Sequence, residues 1–480
     1  MNEAKALAKN ARGAMVAAAG CGKTHVIATA VADYNGGREL ILTHTHAGVD
    51  AIRARLVKLG VAEQSCQVGT IAGWALRLAT AFPRSSALPN AKPRHNADYC
   101  EVYAAATKLL ELRPIREIIR SSWSGVYVDE YQDCTLGQHG LVVKLLEILP
   151  CRIVGDPLQG IFDFGDNRPV QWDQHVRTTF HEVSGPTTPW RWANSNPALG
   201  EWLMDIRGKL VSDQGVDLRH APVQWLDCCD SKTVKAKQLS ACFARAGKRG
   251  ETVIAVHQWP NQCHNVASCL KGIYSCIEPV DAEDLYDSAQ FIDTTTGFAR
   301  AVAVLDFAGK CITKVRTELK TIRSALKDGN IPRVRKNQDQ MRVLLEVADN
   351  NSLAAVKRAL RSLTEVTGAV VYRRELLQEM ERAAHAVFVG NADTLYEAAW
   401  VVRNRVRQRG RCLPRCGVGT TLLVKGLEFD HVVVLDADGF DARNLYVALT
   451  RGAKSLTIVS RDKIITPIKR RDASSEKGCL

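Results

Sequence analysis

A short stretch near the start of the chain combines two glycines with a lysine and a threonine, in the order Ala17-Ala18-Ala19-Gly20-Cys21-Gly22-Lys23-Thr24. Gly20 and Gly22 leave this stretch without side-chain bulk, so that successive backbone N–H groups can face phosphate oxygens at the start of a helix. Lys23 would reach the terminal phosphates, and Thr24 would place its hydroxyl on an accompanying Mg²⁺. The pattern predicts a nucleotide-binding loop. The alternative is a glycine turn that happens to precede a lysine.

Two adjacent acids, Asp129 and Glu130, follow the apolar stretch Gly125–Val128. Open α/β sheets bind their ligands at the carboxyl ends of the strands, so both carboxylates are expected at such an edge. Asp129 would hold Mg²⁺ through its water shell, and Glu130 would orient and deprotonate the water that attacks a γ-phosphate. A solvated acidic turn is the alternative, and the loop at residues 17–24 favours the catalytic interpretation.

Strands and helices alternate around both groups of residues, with short connections. This alternation predicts an α/β fold in which helices cover both faces of a parallel sheet. Three prolines, Pro83, Pro89 and Pro93, interrupt the pattern and predict a helical insertion that extends to about Arg120. The predicted strands are Ala14–Ala18, Glu39–Thr43, Gln67–Thr70, Gly125–Asp129 and Arg152–Gly155, and the predicted helices are Ala47–Leu59, Ile71–Ala79 and Leu141–Leu149.

The second half of the chain begins with a predicted strand, Glu251–Val256, and a helix, Asn261–Gly272, and then becomes helical from about Val280 to Arg411. Residues 301–411 hold 21 Lys and Arg against 12 Asp and Glu, with arginine at every second position from 403 to 411. We interpret this excess as a surface that contacts a nucleic-acid backbone. The alternative is a solvated helical face.

Length and charge limit the class of protein. A chain of 480 residues is too long for one core, which predicts about two to four domains. The 15 cysteines are scattered and no signal peptide is recognised, which favours reduced thiols and a cytoplasmic location. No apolar run approaches the length of a bilayer span, so no membrane association is expected. The net charge of +13 indicates a polyanionic partner.

Eight segments, taken in chain order, resemble the successive motifs of UvrD/PcrA/Rep-type superfamily 1 DNA helicases. The DEYQD and YVALTR strings are the most specific of them. The segments are Ala17–Thr24, Thr43–Ala47, Val68–Thr70, Asp129–Asp133, Val154–Gln159, Trp190–Arg191, Lys425–Asp430 and Leu445–Arg451.

The resemblance implies two RecA-like parallel-sheet domains of the P-loop NTPase class, with ATP and Mg²⁺ bound in the cleft between them. It also implies a division of the chain. Residues 1–185 would form the first motor domain, with the helical insertion at about 81–120. The other parts would be a second motor domain (186–280 and 412–462), a reduced, basic helical insertion (281–411) and a flexible tail (463–480).

The resemblance also implies roles at the nucleotide. Gln159 would sense the γ-phosphate from the first domain, and Arg191 and Arg451 would neutralise charge developing there from the second. A surface ion pair is the alternative for each arginine. The residues implied in hydrolysis are Lys23, Asp129, Glu130, Gln159, Arg191 and Arg451. The residues implied in nucleotide contact are Gly20, Cys21, Gly22, Lys23, Thr24, His25, Trp190 and Glu428, with Thr24 and Asp129 at the Mg²⁺.

Four residues are implied at the nucleic acid: Thr43, Thr70, Phe162 and Phe164. The two phenylalanines would stack on bases of a single strand, at about 1–3 kcal/mol per base, or else belong to the core. The chain departs from the family on this side, because His44, Ala72 and Leu422 stand where the family has other residues. The glutamine with which the family reads adenine is also missing before the loop, which leaves the preferred base open.

Two classes of function follow. The first is an ATP-driven motor on single-stranded or tailed duplex DNA, a 3′ to 5′ helicase or translocase in DNA repair or phage defence, as the resemblance implies. The compact insertion resembles the helicase subunits of Gabija-type anti-phage systems, which implies a nuclease partner. The second is a nucleotide-dependent DNA sensor or assembly switch that regulates such a nuclease without processive unwinding.

Overall fold

The computed structural model describes residues 2–34, 36–89, 96–162, 168–228, 233–246, 250–278, 282–331, 334–350, 352–399, 402 and 414–469. The chain forms two compact units, and both are discontinuous in sequence. The first unit takes Met1–Pro222, Phe440–Lys454 and Ile464–Leu480, and the second takes Val223–Gly439 and Ser455–Lys463. The sequence-based domain boundaries stay a prediction.

The strands of the described residues, in chain order, are β1 Gly13–Val16, β2 Glu39–Thr43, β3 Cys66–Thr70, β4 Gly125–Val128, β5 Cys151–Gly155, β6 His181–Val183, β7 Val216–Asp217, β8 Gln224–Asp227, β9 Val253–Val256, β10 Ser275–Cys276, β11 Cys416–Gly419, β12 Phe429–Val434, β13 Gly452–Ser460 and β14 Ile464–Ile465.

The α-helices with defined bounds are α1 Asn2–Lys9, α2 Lys23–Ala32, α3 His46–Lys58, α4 Ile71–Ala81, α5 Pro83–Ser86, α6 Asn96–Leu109, α7 Arg113–Ser122, α8 Leu136–Leu146, α9 Pro197–Val211, α10 Val234–Ala246, α11 Pro260–Cys269, α12 Ala282–Thr294, α13 Gly297–Cys311, α14 Val315–Glu318, α15 Lys320–Lys327, α16 Gln338–Asp349, α17 Leu353–Leu363, α18 Arg374–Phe388, α19 Thr421–Val424 and α20 Ala442–Leu449.

The first unit is built on a six-stranded sheet in the order β3-β2-β4-β5-β1-β6, and its neighbouring strands run parallel. Strands β2, β4 and β5 are buried along their whole length, as expected of short apolar runs covered on both faces. Val16 lies opposite Gly155, Leu42 opposite Val128, and Thr43 opposite Thr70. The segments that follow these strands therefore leave the sheet at one edge.

Helices pack on both faces of this sheet. One buried cluster includes Trp74 and Leu141, and another includes Leu7, Ile27 and Ile52. Helices α5, α6 and α7 lie within the insertion predicted for residues 81–120. Helix α8 begins earlier than predicted because Thr135 caps it, in a capping box with Gln138.

The second unit contains a six-stranded sheet in the order β10-β11-β9-β12-β13-β8, with the pairs β10–β11, β11–β9, β9–β12 and β13–β8 parallel. Helices α12 to α18 of the same unit share a buried core that includes Leu305, Leu344, Leu360 and Met380. The arginine-rich residues 403–411 lie outside the described residues. The two sheets confirm the predicted α/β class, with two parallel-sheet units and helical insertions.

Part of the predicted flexible tail is a strand. Ile464 and Ile465 form β14, which pairs antiparallel with β7, while residues 470–480 lie outside the described residues. Among the helices that the structure describes, none combines the length and the apolar character needed to cross a bilayer.

Candidate active site

The loop between β1 and α2 requires glycine at two positions. Gly20 has φ 73° and Gly22 has φ 89°, the left-handed region that glycine adopts without steric cost. A Cβ on Gly20 would also lie 2.5 Å from a ring carbon of Trp192. Ala17, by contrast, does not have a positive φ. The loop therefore accommodates alanine at position 17, where the phosphate-loop pattern has glycine.

Lys23 lies in the first turn of α2 and is buried. Its Nζ donates a hydrogen bond to the Ala17 carbonyl oxygen at 3.3 Å. The Ala17 N–H in turn donates to the Gly155 carbonyl oxygen at 3.1 Å, which ties the loop to the end of β5. The predicted loop thus has its lysine folded over it and its start fixed to the sheet.

Asp129 and Thr24 come together at the sheet edge, as the sequence predicts. The Thr24 hydroxyl donates to Asp129 Oδ2 at 3.0 Å, and the Asp129 N–H donates to the Leu42 carbonyl oxygen at 2.9 Å. Burial and the neighbouring Glu130 carboxylate raise the pKa of Asp129 to about 7. A cation beside this buried carboxyl group would therefore favour its ionised form.

The donor set fits a magnesium ion. A hydroxyl oxygen and a carboxylate are hard oxygen ligands of the kind that Mg²⁺ prefers, and Mg²⁺ keeps several of its waters in such sites. A divalent cation would also offset the energetic cost of the buried Asp129 carboxylate beside a second acid. Thr24 and Asp129 are the residues that would hold it.

Glu130 has φ 54°, a left-handed backbone conformation that is costly for a residue with a Cβ. The Gln132 side-chain amide donates to Glu130 Oε2 at 2.6 Å. The same Gln132 accepts the Asp156 N–H through its Oε1 at 2.9 Å. One glutamine therefore orients the predicted base and fixes the turn after β5.

Asp156 is the centre of a polar network and is completely buried, with 0% of its surface exposed. Its Oδ2 accepts a hydrogen bond from Gln159 Nε2 at 3.0 Å. Its Oδ1 accepts from the Leu158 N–H at 3.3 Å and from Arg207 Nη2 at 2.8 Å. The predicted sensor Gln159 is thereby held by its amide nitrogen.

The two predicted arginines lie in the first unit together with the loop. Arg451 is buried, and its Nη2 donates to Gln159 Oε1 at 3.0 Å. Arg191 Nη1 donates to the Thr450 carbonyl oxygen at 2.7 Å, and the Arg191 N–H donates to the Gly20 carbonyl oxygen at 3.1 Å. Both arginines are therefore in segments that contact the sensor or the loop.

The remaining predicted nucleotide contacts differ in exposure. Trp190 is 63% exposed, and its ring lies beside Gly22. Cys21 is buried, with its Sγ 3.7 Å from Met204 Sδ, and burial raises the pKa of its thiol to about 11. His25 is exposed in the first turn of α2. Glu428 is exposed just before β12, in the second unit.

The predicted nucleic-acid residues are held by internal contacts where the structure describes them. Thr43 is buried, and Thr70 caps α4 by accepting the Gly73 N–H at 3.0 Å. They are register partners on β2 and β3. Phe162 is half-buried, and Phe164 lies outside the described residues.

Four further residues of the site have no role in the sequence analysis: Gln132, Asp156, Arg207 and Tyr446. The Tyr446 hydroxyl on α20 accepts the buried Ala19 N–H at 3.1 Å. Gln132, Asp156 and Tyr446 all lie inside segments that resemble helicase motifs, so their positions carried a signal. Arg207 lies on α9 outside every such segment. The residues around it in the sequence give no sign of a role in the site.

Comparison with known proteins gives one family match. Residues 87–171 match the UvrD/REP helicase N-terminal domain, and this segment includes Asp129, Glu130 and Gln159. Among solved structures, the chain is similar to one described as Pif1 helicase from Bacteroides in complex with ADP-AlF3 and ssDNA. The sequence identity is 11% and the TM-score 0.39, over 96% of this chain and 91% of that chain. No curated protein matches the chain.

Proposed function

We propose that this chain is a Mg²⁺-dependent ATPase that uses hydrolysis to move along single-stranded DNA, as a helicase or translocase of the UvrD type. The observation that carries the proposal is the convergence of loop 17–24, the acids Asp129 and Glu130, and the Gln159–Arg451 pair in one compact unit. The family match over residues 87–171 supports the same assignment.

Each residue of the site has a part in the proposed reaction. The loop amides and Lys23 bind the phosphates, and Thr24 and Asp129 hold Mg²⁺, which neutralises phosphate charge when bound. Glu130, oriented by Gln132, accepts the proton of the attacking water. Arg451, presented by Gln159, neutralises the charge that develops on the transferred phosphoryl group.

The direction of movement rests on the resemblance of the eight motifs, which favours 3′ to 5′. The net charge of +13 supports a nucleic-acid partner, because cationic surfaces release counterions from the phosphate backbone on binding. Roles in DNA repair or phage defence, a nuclease partner and a cytoplasmic location are part of the same proposal. They rest on the sequence alone.

A second candidate function is the nucleotide-dependent switch. It is favoured by the internal contacts of the predicted DNA-side residues: Thr43 is buried, Thr70 caps α4, and His44 Nε2 lies 3.5 Å from Cys134 Sγ. Side chains that are buried or hydrogen-bonded within the protein have fewer polar groups available to contact a DNA strand. The switch would keep hydrolysis and lose processive movement.

One set of measurements separates the two candidates. ATPase activity is measured with and without single-stranded DNA, and strand displacement is measured on duplexes with a 3′ or a 5′ tail. The motor requires DNA-stimulated hydrolysis and displacement of the 3′-tailed duplex. Hydrolysis without movement on either duplex would leave only the switch.

Lys23→Ala tests the site itself. Removal of the buried ammonium should lower ATP hydrolysis by about a hundredfold or more, because preorganised charge at the phosphates is lost. Lys58→Ala, an exposed lysine in the last turn of α3, is the matched control and should keep the parent activity. Hydrolysis that survives Lys23→Ala would contradict the assignment of the site.

A further inference from the structure

Arg207 pairs with a buried carboxylate of the candidate site, although it lies in none of the motif-like stretches. Its Nη2 donates to Asp156 Oδ1 at 2.8 Å, and the Tyr446 hydroxyl lies near its guanidinium. The Tyr446 hydroxyl accepts the Ala19 N–H of the phosphate loop. The guanidinium therefore holds the turn after β5 and lies beside the helix, α20, whose hydroxyl supports the loop.

The link continues from Asp156 to the catalytic arginine. Asp156 Oδ2 holds the Gln159 amide nitrogen at 3.0 Å, and this leaves the Gln159 carbonyl oxygen to accept from Arg451 Nη2 at 3.0 Å. The orientation of the Gln159 amide thus depends on the position of the Asp156 carboxylate. If Asp156 turned away, the amide would lose the contact that fixes it.

Arg207 provides the charge that Asp156 requires. The Asp156 side chain is 0% exposed, whereas that of Arg207 is 22% exposed, so the ion pair places the buried charge against a cation that reaches towards the surface. A buried carboxylate without a partner is strongly unfavourable. Arg207 therefore stabilises Asp156 in the buried position from which it accepts the Gln159 amide.

We propose that Arg207 is a positioning residue for the hydrolytic reaction, which acts through Asp156 and Gln159 to hold Arg451 in line with the phosphate loop. The inference rests on the proposed ATPase function and adds a residue to its site. Arg207 acts on the rate of hydrolysis and leaves the phosphate-binding groups, Lys23 and the loop amides, in place.

Arg207→Lys is the first test. Lysine keeps the positive charge near Asp156 but lacks the planar guanidinium that fixes the direction of the hydrogen bond to Asp156 Oδ1. We expect kcat for ATP to fall by about tenfold to a hundredfold, while KM changes by less than about twofold. Parent-like kcat in Arg207→Lys would overturn the proposal, and so would a loss confined to KM.

Lys209→Ala is the matched control, because Lys209 lies on the same helix in an exposed ion pair with Asp205. It should keep the parent kcat, KM and melting temperature. If Arg207→Lys fails to fold, the charge-neutral pair Asp156→Asn with Arg207→Gln replaces it. That pair should bind nucleotide as the parent does and hydrolyse it slowly, and rapid hydrolysis would contradict the proposal.

A double-mutant cycle with Gln159→Ala distinguishes positioning from a general structural effect. If Arg207 acts through Gln159, the double variant Arg207→Lys with Gln159→Ala is no slower than Gln159→Ala alone. Independent losses that multiply would refute the route through Gln159. A parent chain without ATPase activity would instead refute the proposed function, whereas an active parent inactivated by Lys23→Ala and unaffected by Arg207→Lys would refute only the role of Arg207.

Discussion

Gly20 is restricted both by its backbone and by its surroundings. Its φ of 73° is unfavourable for any residue with a side chain, and the Trp192 ring occupies the space that a Cβ would need. Trp192 is held in turn by a hydrogen bond from its Nε1 to the Gly452 carbonyl oxygen at 2.6 Å. The ring is fixed in this position and cannot easily move away from a Cβ added at Gly20.

Gly20→Ala should therefore destabilise the protein more than a glycine-to-alanine change that meets open space. We expect a loss of about 1–2 kcal/mol from the left-handed backbone and a further loss of about 1–3 kcal/mol from overpacking. Gly60→Ala is the control, because Gly60 has φ 70° with no atom within 4 Å of the added Cβ. Denaturant unfolding measures both variants, and equal losses would contradict the role of Trp192.

At the scale of residues, the sequence predicts those groups whose chemistry is written in a local pattern. Lys23, Thr24 and Asp129 are recognisable because glycine spacing and a strand-then-acid pattern place them without knowledge of the fold. Arg207 cannot be found in this way, since its partner Asp156 is 51 residues away and nothing on α9 marks it. Alanine is tolerated at position 17 because the φ angle there is not positive. The sequence does not show this angle, whereas the structure does.

At the scale of elements, helix α20 contributes to the loop through one hydroxyl. The Tyr446 hydroxyl oxygen accepts the Ala19 N–H, and both groups are buried, so water does not replace the bond when it is lost. The ring of Tyr446 is packed in the core and would stay in place without its hydroxyl. The hydrogen bond is thus separable from the packing of the helix.

Tyr446→Phe should cost about 1–3 kcal/mol of stability and also weaken nucleotide binding, because the buried Ala19 N–H loses its acceptor and the loop loses a support. Tyr274→Phe is the matched control: its hydroxyl is also buried and donates to the Cys242 carbonyl oxygen at 2.8 Å, in the second unit. It should lower stability without an effect on binding. Unfolding curves and titration with a fluorescent ATP analogue provide both readouts, and unchanged binding in Tyr446→Phe would contradict the prediction.

Elements are predicted well where burial sets their pattern and poorly where a single contact sets their bounds. Strand β2 has the predicted bounds, because its apolar residues define them. Helix α8 begins at Leu136 because of the Thr135 cap, which the apolar pattern does not register. Strand β14 depends on pairing with β7, a contact that no local pattern reveals.

At the scale of the whole molecule, the described cysteine thiols differ widely in their access to solvent. Cys100 is exposed and Cys269 is half-buried, while the others are buried: Cys21, Cys66, Cys134, Cys151, Cys228, Cys242, Cys263, Cys276, Cys311 and Cys416. Burial raises the pKa of Cys242 and of Cys276 to about 12. These thiols stay protonated at pH 8, and the protonated form is the unreactive one.

Alkylation of the native protein at pH 8 should therefore label Cys100 first and leave Cys21, Cys242 and Cys276 unlabelled until the protein is unfolded. In the unfolded chain the pKa of each thiol returns to about 8.5, so all become reactive. Peptide mass spectrometry after timed exposure to iodoacetamide measures each site separately. Rapid labelling of Cys242 in the native state would contradict the buried core of the second unit.

The parts of the candidate site are synthesised at different times, because they lie far apart in the sequence. The hydrogen bonds Ala19–Tyr446 and Gln159–Arg451 join residues 427 and 292 positions apart, and most of the second unit is encoded between the two halves of the first. During synthesis the phosphate loop leaves the ribosome early, whereas Tyr446 and Arg451 follow only after the intervening unit has been made. A chain interrupted before residue 440 would carry the loop and both acids without the arginine that completes them. Under the proposed function, an unfinished copy therefore cannot assemble the complete hydrolytic site.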